Sequence, residues 1–293
     1  MKKLLVPTDF SSCANKAAQV ALELAKKLEA EVHFLHFTAI PIDWVNLENH
    51  QEKMYPDITK KVRNRQQKLN ELVQKAERMG LPAYSYIGYN EGYSNVISYV
   101  EDHQIDLVIM GSHGASGLKE IFLGSNAQKI IRLSDIPVLV VKEDTPHFNA
   151  LKMVVVSDFL GELNQDFDDV AQQGFKKLLE MAEKLELSVH LLYVNTPANF
   201  ISSKVMLSRM ADYESIAEDT IASSTIINAN SIERGIKDYL GGDDESIVAM
   251  MTHGEQGFSR WVSGSKVEAI ANHLSSPFLS IKMQEVPELE EVD

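Results

Sequence analysis

The sequence contains the same pattern twice. The segment Gly111–Gly117 matches Met251–Gly257, and corresponding residues are 140 positions apart. Further upstream, Val6–Phe10 matches Val155–Phe159 at a distance of 149 positions. Insertions in loops change such spacings and leave the helices and strands intact. The repeat therefore predicts two homologous domains, each long enough to bury a core of its own.

The two halves divide at a short polar segment around residues 143–149, which contains Pro146 and is typical of a linker. We expect a first domain over residues 1–144 with a complete glycine pattern, and a second over residues 150–284 with a degenerate one. An acidic, proline-broken tail should follow at residues 285–293. The net charge of −14 is unevenly divided, because residues 1–146 contribute −1 and residues 147–293 contribute −13.

Charge and apolar patterning exclude several classes of protein. With 28 basic and 42 acidic residues, the chain lacks the excess of cations that duplex binding needs, so no nucleic-acid partner is expected. No apolar run is long enough to span a membrane, and the apolar run before Thr8 is too short for a signal-peptide core. The single cysteine, Cys13, is typical of a reducing compartment. We expect a cytoplasmic protein without a membrane partner.

Each half alternates between β-rich runs and amphipathic segments. In the first half, we expect strands at Lys3–Val6, Glu31–Phe37, Ala83–Ile87, Asp106–Met110 and Pro137–Val141, and helices at Ser12–Leu28, Tyr55–Met79 and Ser94–Glu101. The second half repeats this order. The alternation predicts an α/β fold of two tandem flavodoxin-like or Rossmann-like domains, each a five-stranded parallel sheet with helices on both faces. Ligands of such sheets bind beyond the carboxyl ends of the strands, where the strand order reverses.

The strongest chemical signal is the glycine segment that follows the fourth predicted strand. Gly111, Gly114 and the pair Gly124–Ser125 are separated by two and nine residues. Glycine allows a backbone to approach a ligand closely, and the helix predicted after Gly124 offers unpaired N–H groups to a phosphate. Ser125 and Asn126 add polar donors. The spacing alone predicts either a phosphate-binding segment or turn glycines followed by a helix cap.

Together with Val6–Asp9 and Pro137–Val141, this segment resembles the universal stress protein family, in particular its tandem two-domain members. The resemblance covers nearly the whole chain. It implies binding of ATP or another adenine nucleotide, with or without Mg²⁺, with the adenine near the first two strand ends and the phosphates on the glycine segment. The nucleotide-binding residues that it implies are Pro7, Thr8, Asp9, Phe37, Met110, Gly111, His113, Gly114, Gly124, Ser125 and Asn126.

The second half departs from the family pattern at one informative position. Met251 stands where the first half has Gly111, so a side chain occupies a position that the family keeps bare. The charge of −13 in this half also disfavours a polyanion. We expect a weak or lost second site, which would comprise Asp158, Met251, Gly254, Gly264 and Ser265. A plain structural reading, in which Met251 fills the core, is compatible with this expectation.

No catalytic residue and no metal site are predicted. The sequence has neither a phosphate loop ending in Gly-Lys-Ser/Thr nor a Gly-x-Ser-x-Gly nucleophile elbow. His33 and His36 lie three positions apart in a predicted strand and should point to opposite faces, which makes them a poor metal pair. The cations of Tyr55–Met79 are flanked by carboxylates, which predicts a solvated helix face or a lid.

The leading hypothesis for function is an adenine-nucleotide-binding stress protein that senses or buffers ATP or AMP and passes that state to an unidentified protein partner. Hydrolysis would be slow at most. One alternative is a ligand-free scaffold or chaperone-like stress protein, and another is an enzyme that acts on an adenylated substrate. The family resemblance also implies an intrachain pseudo-dimer, in which Pro137–Lys142 and Pro277–Lys282 pair as edge strands, and leaves a homodimer of two chains open.

Overall fold

The computed structural model describes residues 1–41, 55–90, 92–112, 124–145, 148–157, 159, 169–198, 200–217, 220–252, 270 and 274–283. The chain divides into two compact units. The first comprises Met1–Ile130 and Val138–Phe148, and the second comprises Ile131–Pro137 and Asn149–Asp293. Within the described part of the chain, no helix combines the length and the apolar character that crossing a membrane would require.

Strands and helices alternate along the first unit. They are β1 (Lys3–Pro7), α1 (Ser12–Leu28), β2 (Glu31–Thr38), α2 (Pro56–Arg78), β3 (Ala83–Tyr89), α3 (Tyr93–His103), β4 (Leu107–Gly111), α4 (Ser125–Leu133) and β5 (Val138–Val141). Helix α1 has the predicted bounds because its alanine-rich stripe is buried along its length, and Glu29 ends it in a left-handed conformation.

The sheet of the first unit has the strand order β3-β2-β1-β4-β5, and its described strand pairs are parallel. The chain runs outward from β1 to β2 and β3, and then crosses back to β4 on the other side of β1. The strand order therefore reverses between β1 and β4, as it does in Rossmann domains. This confirms the predicted parallel α/β fold and brings the loops after β1 and β4 next to each other.

The turn between β1 and α1 is fixed by short polar side chains. Thr8 Oγ1 accepts a hydrogen bond from the Phe10 N–H at 3.0 Å. Asp9 Oδ1 accepts one from the Ser11 N–H at 2.9 Å. Ser11 Oγ in turn accepts from the Ala14 N–H at 3.2 Å, which makes Ser11 the N-cap of α1. These bonds hold Phe10 in a left-handed conformation with φ of 65°, which a residue of its size rarely adopts.

The second unit has the same strand order, and its described elements alternate in the same way as far as β9. Its elements are β6 (Lys152–Val156), α5 (Asp169–Lys184), β7 (Ser188–Asn195), α6 (Ser203–Ala217), β8 (Ile221–Asn228), α7 (Ile232–Leu240), β9 (Ser246–Thr252) and β10 (Phe278–Lys282). The described pairs are parallel in the order β10-β9-β6-β7-β8. The turn after β6 repeats the chemistry of the first unit, because Ser157 Oγ accepts from the Phe159 N–H at 3.1 Å and Phe159 has φ of 48°.

Gly111 and Met251 lie at the carboxyl ends of β4 and β9, and each unit packs its first helix differently against them. A Cβ added to Gly111 would lie 2.9 Å from the backbone carbon of Cys13, so glycine is what allows α1 to close onto β4. Met251 is only 4% exposed, and its Sδ would lie 3.2 Å from a Cβ added to Gly174 of α5. Met251 thus fills core space beneath α5, where Gly174 leaves room for it.

We expect Gly174→Ala to destabilise the second unit, although alanine is favoured over glycine inside a helix by about 1 kcal/mol. The added Cβ would lie 2.9 Å from Met283 Cγ and 3.2 Å from Met251 Sδ, closer than side chains normally pack. Overpacking of this kind costs about 1–3 kcal/mol, which the midpoint of urea unfolding would measure. In a Met251→Ala/Met283→Ala background, which removes both contacting side chains, the same substitution should be neutral or stabilising. Equal losses in both backgrounds would contradict this packing.

Candidate functional site

A cavity of about 360 Å³ opens at the carboxyl ends of β1, β2 and β4 in the first unit. It lies where the strand order reverses, which is where open parallel sheets bind their ligands. Its described lining consists of Pro7, Thr8, Asp9, Ala14, Leu35, Phe37, Ala39, Gly92, Val96, Met110, Gly111, Ser112, Gly124, Asn126, Ala127 and Ile130.

Most of the residues predicted for a nucleotide meet in this cavity. Those that line it are Pro7, Thr8, Asp9, Phe37, Met110, Gly111, Gly124 and Asn126. Ser125 is the first residue of α4 and is exposed between two lining residues. His113 and Gly114 lie outside the described residues, as do Asp158, Gly254, Gly264 and Ser265 of the predicted second site.

The glycine segment is tied to the end of the sheet by backbone hydrogen bonds. Ser112 donates its N–H to the carbonyl of Val141 at 2.9 Å, and its own carbonyl accepts from the Gly124 N–H at 2.7 Å. The Gly124 carbonyl then accepts from the Gln128 N–H at 3.0 Å, in the first turn of α4. These bonds fix the N-terminus of α4 beside the end of β4, and they involve backbone atoms only.

Helices α1, α3 and α4 all begin at the cavity. Ala14 lies in the first turn of α1, Gly92 is the N-cap of α3, and Gly124 precedes α4. The N-terminus of a helix presents unpaired N–H groups and the positive end of its dipole, both of which favour an anion. The convergence of these helix ends makes the cavity suited to a negatively charged group.

Sequence reasoning missed the contribution of α3. Gly92 and Val96 line the cavity because the crossover from β3 to β4 carries α3 past the strand ends. The available signal at Gly92 was a glycine two residues before the predicted helix Ser94–Glu101. Val96 carries no such signal, since it has the pattern of an ordinary core residue. The apolar lining residues Ala14, Leu35, Ala127 and Ile130 were missed for the same reason.

His36 lies behind the cavity, on the opposite face of β2 from the lining residues Leu35 and Phe37. Its Nδ1 is 2.7 Å from the Thr8 carbonyl, which can only accept, so Nδ1 carries the proton. Nε2 is buried and makes no hydrogen bond to any described residue. Burial lowers the pKa of His36, and the bond to Thr8 opposes this in part.

His33 points to the other face of the sheet, as the sequence predicts. There its Nδ1 is 2.9 Å from the Tyr99 hydroxyl of α3, and its Nε2 is 3.0 Å from Glu31 Oε1. Across the ranges that the structure describes, no three or more His, Cys, Asp or Glu side chains are grouped so as to hold a metal ion. Burial also lowers the pKa of His33.

The first unit therefore has the features of a Rossmann-like α/β domain whose cavity lies at the reversal of strand order. The sequence profile of the Universal stress protein family matches residues 1–142. The universal stress protein MJ0531 of Methanocaldococcus jannaschii is 30% identical over 143 residues, which are 48% of this chain and 82% of that protein. Universal stress protein YxiE of Bacillus subtilis is 30% identical over 145 residues, with coverages of 48% and 98%. The chain belongs to the universal stress protein family.

A solved structure matches nearly the whole chain. It is that of a universal stress protein from Archaeoglobus fulgidus, with a TM-score of 0.70 and a sequence identity of 19%. The match covers 96% of this chain and 98% of the other. At this identity the similarity shows a common fold.

The lowered pKa of His36 predicts a pH-dependent stability. The imidazole of His36 binds a proton more readily in the unfolded chain than in the folded chain. The free energy of unfolding therefore decreases as the pH falls below the ordinary pKa of 6.5. His36→Gln should flatten the decrease in unfolding free energy between neutral and mildly acidic pH, measured by urea unfolding. Because His33 and His190 shift in the same direction, the slope should not vanish. A slope identical to that of the wild type would contradict the assignment.

Proposed function

We propose that the first unit binds ATP or another adenine nucleotide, and that the chain senses or buffers this nucleotide in a stress response. The observation that carries the proposal is the cavity at the reversal point, because it gathers residues of both family motifs in one place. Its volume of about 360 Å³ lies in the range of small-molecule sites.

The cavity has different chemistry along its length. Leu35, Phe37 and Val96 give apolar walls at the β2 side, which suit the planar face of a base. Gly111, Gly124 and Asn126 lie at the β4 side, beside the N-terminus of α4, which suits phosphates. Strands β2 and β4 flank β1 and are therefore about 10 Å apart, a distance that a nucleoside can span.

The lining favours binding over rapid turnover. Asp9 is the one titratable side chain among the described lining residues, and its Oδ1 already accepts the Ser11 N–H. Beyond this carboxylate, the described part of the lining supplies no general base for an attacking water. Any Mg²⁺ that accompanies ATP would be held mainly by the phosphates, since Asp9 is also the only carboxylate in the described lining.

For the second unit we propose a weak or lost nucleotide site. In the first unit, the absence of a side chain at Gly111 lets the first turn of α1 reach the cavity. In the second unit, the Met251 side chain takes the space between β9 and α5. The excess of acidic residues in this half disfavours phosphate as well. The cytoplasmic location stays a prediction from composition, and the unidentified protein partner stays part of the functional hypothesis. The pseudo-dimer and the homodimer stay predictions of the family resemblance.

The first test concerns the ligand itself. Mass spectrometry of small molecules released from the purified protein should detect an adenine nucleotide, and ATP or AMP added to ligand-free protein should raise its Tm. No released nucleotide and no change in Tm with ATP, ADP or AMP would contradict the proposal. That result would favour a scaffold that acts through protein partners alone.

Asn126→Ala should weaken nucleotide binding about tenfold, because it removes a hydrogen-bond donor to the phosphates from the first turn of α4. Isothermal titration calorimetry measures the change. Asn126 is exposed, so the fold should survive, whereas a side chain at Gly111 would collide with α1. Asn70→Ala is the matched control, since Asn70 is an exposed asparagine of α2 outside the cavity lining. Equal affinities of both variants for ATP would contradict a role of Asn126 in nucleotide binding.

Binding stoichiometry tests the difference between the two units. We expect one nucleotide per chain at concentrations that saturate the first unit, because only that unit combines a bare strand end with a near-neutral charge. Equilibrium dialysis with radiolabelled ATP measures the number directly. Two sites of equal affinity per chain would contradict the proposed loss of the second site.

A further inference from the structure

Helix α2 presents a face of cations beside the first unit's cavity. The basic face of α2 comprises Lys60, Lys61, Arg65 and Lys68, which together with Asp57 and Asn64 line a groove of about 410 Å³. Lys61, Arg65 and Lys68 follow the spacing of one helical face. The groove therefore concentrates positive charge in a unit whose total charge is close to zero.

These cations are not neutralised within the described structure. None of the four forms an ion pair with a carboxylate of a described residue, and Asp57 is the one carboxylate in the groove's described lining. Like charges on one helical face repel and lower the stability of the helix. An arrangement that concentrates unpaired cations in a groove is most stable when an anion occupies it.

The basic face contacts one residue of the cavity lining and the direct chain neighbour of another. Lys61 Nζ donates to the carbonyl of Ala39 at 2.8 Å, and Ala39 lines the cavity. Arg65 and Lys68 lie over the ring of Phe10, at 5.4 Å and 5.3 Å from its centroid, and Phe10 directly follows the lining residue Asp9. Cation–π contacts of this kind hold the two side chains against the turn that follows β1 before any ligand arrives.

In the second unit, the phenylalanine of the corresponding turn has an aromatic neighbour among the described residues. Phe159 has the position and the left-handed conformation of Phe10, but it packs against Tyr213 of α6, with ring centroids 5.0 Å apart. Phe159 is fully buried there. In the second unit, an aromatic side chain packs against this phenylalanine. Packing alone therefore does not explain why Arg65 and Lys68 lie over Phe10 in the first unit.

We propose that the basic face of α2 binds a second phosphate group, carried by the nucleotide in the adjacent cavity. This rests on the proposed function. The N-terminus of α4 would take the 5′-phosphates at the β4 side, and the basic face would take a phosphate at the β2 side. The preferred ligand class is thus an adenine nucleotide with phosphates at two separate positions, as in adenosine 3′,5′-bisphosphate.

Isothermal titration calorimetry with AMP and adenosine 3′,5′-bisphosphate tests this preference. The wild type should bind the bisphosphate about tenfold more tightly than AMP, because two charge-assisted contacts are added. In Arg65→Gln/Lys68→Gln the ratio of the two affinities should approach one. The control Lys75→Gln/Arg78→Gln removes the same charge from exposed positions at the end of α2, and it should keep the wild-type ratio. A wild-type ratio near one, or a ratio that both double variants lower equally, would overturn the proposal.

Inorganic pyrophosphate separates this site from the nucleotide proposal, since it needs no adenine pocket. It should raise the Tm of the wild type and of the Lys75→Gln/Arg78→Gln control more than that of Arg65→Gln/Lys68→Gln. If AMP fails to bind while this difference persists, the nucleotide proposal fails and the basic face stands as a phosphate site. Equal Tm increases in all three proteins would overturn the basic face as a phosphate site.

Discussion

The backbone contact between Gly111 and the first turn of α1 is the constraint on which the site of the first unit depends. At this point a strand end and a helix N-terminus come so close that even a Cβ would collide with Cys13. The contact brings Ala14 and the end of β4 to the same cavity, and the polar turn through Asp9 links them along the chain. The second unit packs the same two elements through a glycine on the helix, Gly174, which admits the side chain of Met251.

Electrostatics distinguishes the two units at the same turn. In the first, α2 brings Arg65 and Lys68 over Phe10, beside a cavity where helices begin. In the second, α6 places Tyr213 against Phe159. One fold thus presents positive charge at its strand ends in one copy and an apolar contact in the other. Two units with similar backbones but different side chains at the strand ends can therefore differ in ligand, or in whether they bind a ligand at all.

Much of the architecture was predictable because it depends on residue patterns that are local in the sequence. The buried alanine stripe gave α1 its bounds. The family motifs also indicated both ends of the cavity, from Asp9 to Asn126. Gly92 and Val96 were missed because a residue of ordinary helical pattern reaches a site only through the crossover that carries its helix there.

The sequence by itself determined the parallel α/β class, the motif residues and the unequal charge of the two halves, because each depends on residue type and spacing along the chain. Only the tertiary structure decided which residues share the cavity, where Met251 packs and that the cations of α2 adjoin the strand ends. These features depend on distances between residues remote in sequence, such as Lys61 and Ala39 or Gly174 and Met251. The topology of the sheet sets those distances, and no local pattern encodes them.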